Sequence, residues 1–178
     1  MTMRDLANAV GMEAASLYNH IKSKDEILKE ICFSLGATYT RNMDYVINSD
    51  LSVLKKIEEL IALHIKINFQ SSSLASVMND EWRHLKATDK ADFIKKRHEY
   101  ENNFINILKD GIAQGYLKEM EPRIVLFTII SSMRWLFHWY YLEWSFDFEQ
   151  IKKTMNQMIF TSILKDSSQI SKLVDSGN

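Results

Sequence analysis

Apolar side chains recur every three or four residues along most of this sequence, which is the spacing of an amphipathic α-helix. One proline and five glycines leave few positions where the backbone must turn sharply. The segments between them are rich in Leu, Ile, Lys, Glu, Met and Ala, which are good helix formers. The sequence therefore predicts an all-α protein of about eight helices.

Capping residues and breaks in the apolar pattern set the expected helix boundaries. Two short helices are predicted over about residues 3–10 and 13–21, with Gly11 between them. Longer helices are predicted to begin near Ser23, Leu51, Leu74, Asp89, Pro122 and Asp147. Gly115 is expected to end the helix from Asp89. The helix from Pro122 is expected to reach about Trp144.

The two short helices joined at a glycine form a candidate helix-turn-helix. We therefore expect a DNA-binding domain over residues 1–30 and a helical effector-binding and dimerisation bundle over residues 31–178. The last two predicted helices carry more apolar positions than a monomer buries, which favours a four-helix interface in a homodimer. A dimer presents two reading helices, so a partly palindromic double-stranded DNA operator is the expected partner.

The second short helix, over about residues 13–21, is the element expected to read DNA. In a helix-turn-helix this helix lies in the major groove, and its outward side chains meet base edges and phosphates. Lys24, together with the exposed amides at the start of the third helix, is placed to hold a phosphate. The residues expected to contact DNA are Glu13, Ala14, Ser16, Tyr18, Asn19, His20 and Lys24.

Charge gives the DNA-binding interpretation no support. Residues 1–30 contain four basic and five acidic side chains, and the whole chain has a net charge of −1. Two alternatives follow for this region. The short helices can be a packed pair with a solvated polar face, or the chain can be a helical ligand-binding or interaction module that does not bind DNA.

The runs Thr2–Met12 and Leu17–Leu28 resemble the DNA-binding signature of the tetracycline-repressor (TetR) family, and their spacing matches without a gap. The resemblance covers residues 2–30 and implies a transcriptional repressor. It also implies that DNA, mostly at its phosphates, is contacted by Thr2, Ser16, Tyr18, His20 and Lys24. Family members carry a further helix before the position of Thr2, so the expected domain is a helix-turn-helix from which that first helix is missing.

Large apolar and aromatic residues of the C-terminal part are expected to enclose a cavity between helices that binds a small apolar effector. A cationic side chain near its mouth, such as Arg97, His98 or Arg134, is suited to an anionic group. The alternative is that these aromatic residues are ordinary core. The residues expected to bind the ligand are Phe69, Trp82, Arg97, Tyr100, Phe104, Leu108, Trp135 and Trp139.

Three segments of the C-terminal part resemble the branch of the TetR family that responds to fatty acyl-CoA and related CoA thioesters. They are residues 97–104, residues 111–116, and Arg134-Trp135 with Trp139-Tyr140. The resemblance implies an acyl-CoA effector. This chain departs from that branch at Arg134, where members often have Asn before the first Trp.

Several other classes of protein are disfavoured by the residues present. The sequence has a single cysteine, Cys32, no secretory signal pattern, and no apolar run near the ~20 residues of a membrane helix. A cytoplasmic protein without a membrane span is expected. Cys32 is expected to be buried. An enzyme is the remaining alternative, but His64, His84, His98 and His138 lack the helical spacing of paired metal ligands. We expect no catalytic residue, metal site or cofactor.

Overall fold

Residues 23–136 and 147–166 are described by a computed structural model. They form six α-helices: α1 (Lys24–Asn48), α2 (Val53–Gln70), α3 (Ser72–Glu81), α4 (Ala87–Ala113), α5 (Pro122–Arg134) and α6 (Phe148–Ile163). A short 3₁₀ helix, Trp82–His84, joins α3 to α4. No β-strand occurs in these ranges, apart from one isolated bridge between Leu117 and Leu164. The predicted all-α fold is confirmed.

Side-chain caps account for most of the helix starts that the sequence predicts. Ser23, Ser52 and Asp147 accept hydrogen bonds from backbone N–H groups three residues later, at 3.2, 3.4 and 2.7 Å. These bonds satisfy amides that have no partner within the helix. Glu121 caps the helix that begins at Pro122, and its carboxylate accepts from the N–H of Arg123, two residues later, at 3.3 Å.

The structure corrects several predicted helix bounds. The helix expected from Leu74 begins at Ser72, and its last turn tightens into the 3₁₀ helix. The helix expected from Asp89 begins at Ala87 without a side-chain cap, so no capping signal marked its start. The helix that begins at Pro122 and was expected to reach about Trp144 is α-helical only to Arg134. The N–H of Trp135 bonds to the carbonyl of Met133. The two short predicted helices and residues 137–146 lie outside the described ranges.

Gly115 ends α4 in the left-handed backbone conformation, with φ of 77°. The N–H of Gly115 bonds to the carbonyl of Ile112 at 2.9 Å, and the N–H of Tyr116 bonds to that of Gly111 at 3.0 Å. This pair of bonds is a Schellman motif, which satisfies carbonyls at the end of the helix. The predicted end of α4 is therefore confirmed, and it needs a glycine because a Cβ atom disfavours positive φ.

Alanine substitutions at two glycines of this chain are expected to change the free energy of unfolding in opposite directions. Gly115→Ala should lower the free energy of unfolding by about 1–2 kcal/mol, because alanine must adopt the left-handed conformation. Gly36→Ala, within α1, should raise it by about 1 kcal/mol, since a Cβ there meets no atom within 4 Å and alanine favours helix. Urea unfolding at one protein concentration measures both. Equal signs for the two variants would contradict this account.

The buried side chains form two apolar clusters. The larger draws mainly on α2, α4, α5 and α6 and contains the fully buried Phe104 and Phe160. The smaller joins α1 to α3 and α4 and contains Cys32, which is fully buried as expected. Tyr100 packs against both clusters, so it marks the boundary between them. None of the described helices is long and apolar enough to cross a membrane.

Candidate ligand-binding cavity

A cavity of about 400 Å³ lies where the two apolar clusters meet, a volume within the range of small-molecule sites. Side chains from all the helices except α6 line it. They are Cys32, Phe33, Gly36, Ala37, Tyr39, Thr40 and Arg41 of α1, His64 and Asn68 of α2, Met78, Asn79 and Trp82 of the α3 region, Phe93, Lys96, Arg97, Glu99, Tyr100 and Glu101 of α4, and Phe127, Ile130 and Arg134 of α5. A third of these described lining residues therefore belong to α1.

The apolar part of the wall contains three neighbouring aromatic rings, of which one pair is edge-to-face and the other is stacked. Phe93 lies between Phe33 and Trp82, with ring centroids 6.2 and 6.1 Å away. The guanidinium of Arg97 lies over the Trp82 ring, 5.8 Å from its centroid, and so borders the same wall. Gly36, which has no side chain, also borders the cavity. A Cβ atom built there would meet no atom within 4 Å. This open space at Gly36 is part of what makes the cavity roomy.

Polar groups also face the cavity from inside the protein. The Nε2 atom of His64 and the hydroxyl of Tyr100 are hydrogen-bonded at 2.9 Å. Burial lowers the pKa of the His64 imidazole to about 4, so this ring is neutral at pH 7. Burial also raises the pKa of the Tyr39 hydroxyl above its usual value. Asn68 donates from its side-chain amide to the carbonyl of Met133 at 3.2 Å, which fixes its orientation.

Four cationic side chains with exposed surfaces border the cavity. Arg97 is paired with Glu101 at 2.8 Å, and Arg134 with Asp80 at 2.7 Å. The ammonium of Lys96 lies 4.9 Å from the centroid of the Phe33 ring and is paired with Asp92 at 3.1 Å. Arg41, by contrast, has no carboxylate partner within the described ranges and donates only to the hydroxyl of Thr38 at 3.4 Å. Arg41 is therefore the cation of the opening best suited to bind an anionic group.

Of the residues predicted to bind a ligand, the structure brings three to the cavity: Trp82, Arg97 and Tyr100. Four of the others do not line it. Phe104 and Leu108 are buried in the larger apolar cluster, and Phe69 packs on Phe148 with ring centroids 5.8 Å apart. Trp135 is 41% exposed, and Trp139 lies outside the described ranges. A binding role for any of the eight remains a prediction.

Sequence reasoning missed the contribution of α1 and of the polar residues on α2. The sequence predicted the helix from Ser23, but none of the residues expected to bind the ligand lies on it. The pair Gly36-Ala37 was the available signal, because two small residues in an otherwise apolar helix leave space beside it. His64 gave no such signal, since it lies among regularly spaced isoleucines that are themselves buried.

Two family profiles match the sequence. One, described as "Tetracyclin repressor-like, C-terminal domain", matches residues 50–163, and the other, described as "Bacterial regulatory proteins, tetR family", matches residues 1–31. The chain belongs to the TetR family. The resemblance found at the N-terminus is thereby confirmed, as is the helix-turn-helix followed by a helical bundle. TetR-family proteins are transcriptional regulators.

Curated relatives of this TetR-family chain include transcriptional repressors. The HTH-type transcriptional repressor KstR2 of Mycolicibacterium smegmatis is 24% identical over 140 residues, which are 75% of this chain and 68% of the relative. KstR2 of Rhodococcus jostii is 26% identical over 145 residues, or 78% of this chain and 69% of the relative. The chain is therefore similar in sequence to these repressors.

Solved structures of TetR-family proteins share the fold. The ketosteroid transcriptional regulator KstR2 of Mycobacterium tuberculosis superposes with a TM-score of 0.85 at 18% identity, covering 93% of this chain and 86% of that one. AibR, solved in complex with isovaleryl coenzyme A and operator DNA, superposes with a TM-score of 0.76 at 19% identity, covering 90% and 87%. At these identities the likeness concerns the fold.

The TetR-family DNA-binding region overlaps the described residues only at the start of α1. Lys24 is the first residue of α1 and is exposed, so its ammonium is accessible. The other residues predicted to contact DNA lie outside the described ranges: Thr2, Glu13, Ala14, Ser16, Tyr18, Asn19 and His20. Their contacts with DNA remain a prediction. The N-terminal family match ends at residue 31, so α1 begins in that region and continues along the cavity.

Proposed function

We propose that this chain is a homodimeric transcriptional repressor that leaves its double-stranded DNA operator when a small, largely apolar effector occupies the cavity. One observation carries the proposal. The continuous helix α1 starts inside the family's DNA-binding region and contributes residues from Cys32 to Arg41 to the cavity wall. The proposed domains, residues 1–30 and 31–178, thus share one helix, and a ligand that moves α1 also moves the DNA-binding domain.

Ion pairs at the start of α1 supply a second link. Lys29 pairs with Asp89 at 2.8 Å, and Asp25 pairs with Lys86 at 3.5 Å, so two bonds connect the first turns of α1 to the start of α4. Farther along, α4 contributes Arg97 and Tyr100 to the cavity. An effector that favours one arrangement of α1 and α4 over another therefore shifts the orientation of the DNA-binding domain.

We infer that a fatty acyl-CoA or a related CoA thioester is the first effector class to test. The aromatic wall suits an acyl chain, and the exposed cations, Arg41 above all, suit the phosphates of CoA. The complex of AibR with isovaleryl coenzyme A adds support by fold analogy. We expect the chain to act in the cytoplasm, where operator DNA lies.

Exposed apolar side chains on α5 and α6 support the homodimer. Ile124 and Phe127 of α5 are 67% and 38% exposed, and Met158 of α6 is 65% exposed. Side chains of this size are stabilised when a second copy covers them. In a dimer, two DNA-binding domains meet two half-sites of a partly palindromic operator.

Binding to the intergenic DNA beside the protein's own gene tests the repressor. We expect affinity, measured by fluorescence anisotropy, to fall steeply as salt rises, because phosphate contacts release counterions. Lys24→Gln should weaken binding and reduce the salt slope by about one. Lys66→Gln, an exposed lysine of α2, is the matched control and should leave both unchanged. Affinity that is absent or independent of salt would favour a ligand-binding or interaction module without DNA binding.

A thermal-shift panel tests the effector class. Acyl-CoAs, free fatty acids and aromatic drugs are compared, and a ligand that binds the native state raises the melting temperature. We expect the largest shift among the acyl-CoAs. If none of them stabilises the protein, the effector is another metabolite or a drug.

A further inference from the structure

Three polar aromatic side chains from three different helices converge on the cavity. Tyr39 of α1, His64 of α2 and Tyr100 of α4 all line it, and we call them the tyrosine–histidine cluster. The ring centroids of Tyr39 lie 4.8 Å from His64 and 5.6 Å from Tyr100, and those of His64 and Tyr100 are 5.8 Å apart. The inner part of the cavity is therefore not purely hydrocarbon.

The hydrogen bonds inside the cluster are incomplete. His64 and Tyr100 bond to each other at 2.9 Å, whereas the hydroxyl of Tyr39 makes no hydrogen bond to any residue of the described ranges. Yet Tyr39 is only 9% exposed. The side chain is largely enclosed, but its hydroxyl oxygen remains accessible from the cavity, where water or a ligand can bond to it. Because Tyr39 borders the cavity, the partner of its hydroxyl is supplied by what the cavity holds.

We propose that the tyrosine–histidine cluster is a polar subsite that binds a hydroxyl or carbonyl oxygen on the apolar portion of the effector. The inference rests on the proposed function, because it places the effector in the same cavity. It narrows the effector class from plain hydrocarbon chains to oxygenated ones. A plain chain would displace water from Tyr39 without replacing its hydrogen bond, and that loss is the source of discrimination.

The subsite favours an uncharged oxygen over a carboxylate or phosphate. Burial keeps the His64 ring neutral at pH 7. Burial also raises the pKa of the Tyr39 and Tyr100 hydroxyls above the usual value, so both hydroxyls stay protonated. The cluster therefore offers hydrogen bonds without a positive charge. An anionic group of the effector is better held at the exposed guanidiniums of Arg41 and Arg97.

Naphthalene and 2-naphthol are the probes that test the subsite, because they differ by one hydroxyl and are small enough to reach any part of the cavity. We expect the purified full chain to bind 2-naphthol at least about tenfold more tightly than naphthalene in calorimetry. Tyr39→Phe should remove most of this preference and leave the affinity for naphthalene unchanged. Tyr45→Phe, an exposed tyrosine of the same helix, is the matched control and should keep the preference.

Equal affinities of the wild-type chain for the two probes would overturn the subsite, as would a failure of both to bind. A preference that survives Tyr39→Phe with the fold intact by circular dichroism would also overturn it. Competition with octanoyl-CoA separates this inference from the proposed effector class. If 2-naphthol is preferred but not displaced by any acyl-CoA, the subsite stands and the acyl-CoA proposal fails. If acyl-CoAs bind but 2-naphthol is not preferred over naphthalene, the acyl-CoA proposal stands and the subsite fails.

Discussion

Gly36→Trp is expected to abolish the effector response of this protein. An indole at residue 36 projects into the cavity between α1 and α4, where a Cβ meets no atom within 4 Å, and it occupies the space of the ligand. The helix itself tolerates the change, because tryptophan is a better helix former than glycine. We expect at least about a hundredfold loss of affinity for the most stabilising acyl-CoA of the panel, equivalent to about 2.7 kcal/mol. The affinity for DNA should then no longer depend on effector.

Two variants of the same helix serve as controls for this substitution. Gly36→Ala adds one methyl group and should retain most of the effector affinity. Ser34→Trp places the same indole on an exposed position of α1 that does not border the cavity. It should retain the effector response. Unchanged ligand affinity in Gly36→Trp, measured by calorimetry on folded protein, would show that the effector binds elsewhere.

His64 is expected to make the stability of the protein depend on pH between about 6.5 and 4. Burial lowers the pKa of the imidazole from 6.5 to about 4, so in this range the unfolded chain binds a proton that the native protein does not. The native state is therefore fully favoured above pH 6.5, and the free energy of unfolding falls as the pH drops. The loss at pH 4 amounts to about 3 kcal/mol.

Urea unfolding at pH 7, 6 and 5 and at one protein concentration measures this dependence. His64→Gln should flatten the slope, because the amide does not take up a proton. The side chain of His84 is 74% exposed on the 3₁₀ helix and stays in water, so His84→Gln should retain the wild-type slope. If His64→Gln keeps the slope as well, the destabilisation at low pH arises from other groups.

Much of the helical fold follows from local signals in the sequence. Ser23 is predicted as a cap because its side chain satisfies the first amides of a helix, and Gly115 is predicted as a helix end because it tolerates positive φ. The start of α4 at Ala87 was missed because it has no side-chain cap. Local chemistry therefore decides which boundaries can be predicted.

The cavity was only partly predictable, for a physical reason. Tyr100 and Phe104 are one helical turn apart on α4, and both belong to the same apolar stripe. Tyr100 borders the cavity, whereas Phe104 is fully buried in the core. Helical periodicity shows that a side chain turns away from solvent, but it does not show whether it meets another side chain or an open space. That distinction depends on how far apart the neighbouring helices lie.

The length of α1 determines how a small change in the cavity is amplified. Twelve residues separate Gly36, beside the cavity, from Lys24 at the beginning of the helix, a distance of about 18 Å at 1.5 Å per residue. The rigid helix acts as a lever, and a rotation of about 5° about Gly36 displaces Lys24 by about 1.6 Å. Such a displacement exceeds the tolerance of a hydrogen bond to a phosphate oxygen. In the proposed repressor, a modest adjustment among packed side chains would thus be sufficient to misalign the DNA-binding domain on the operator.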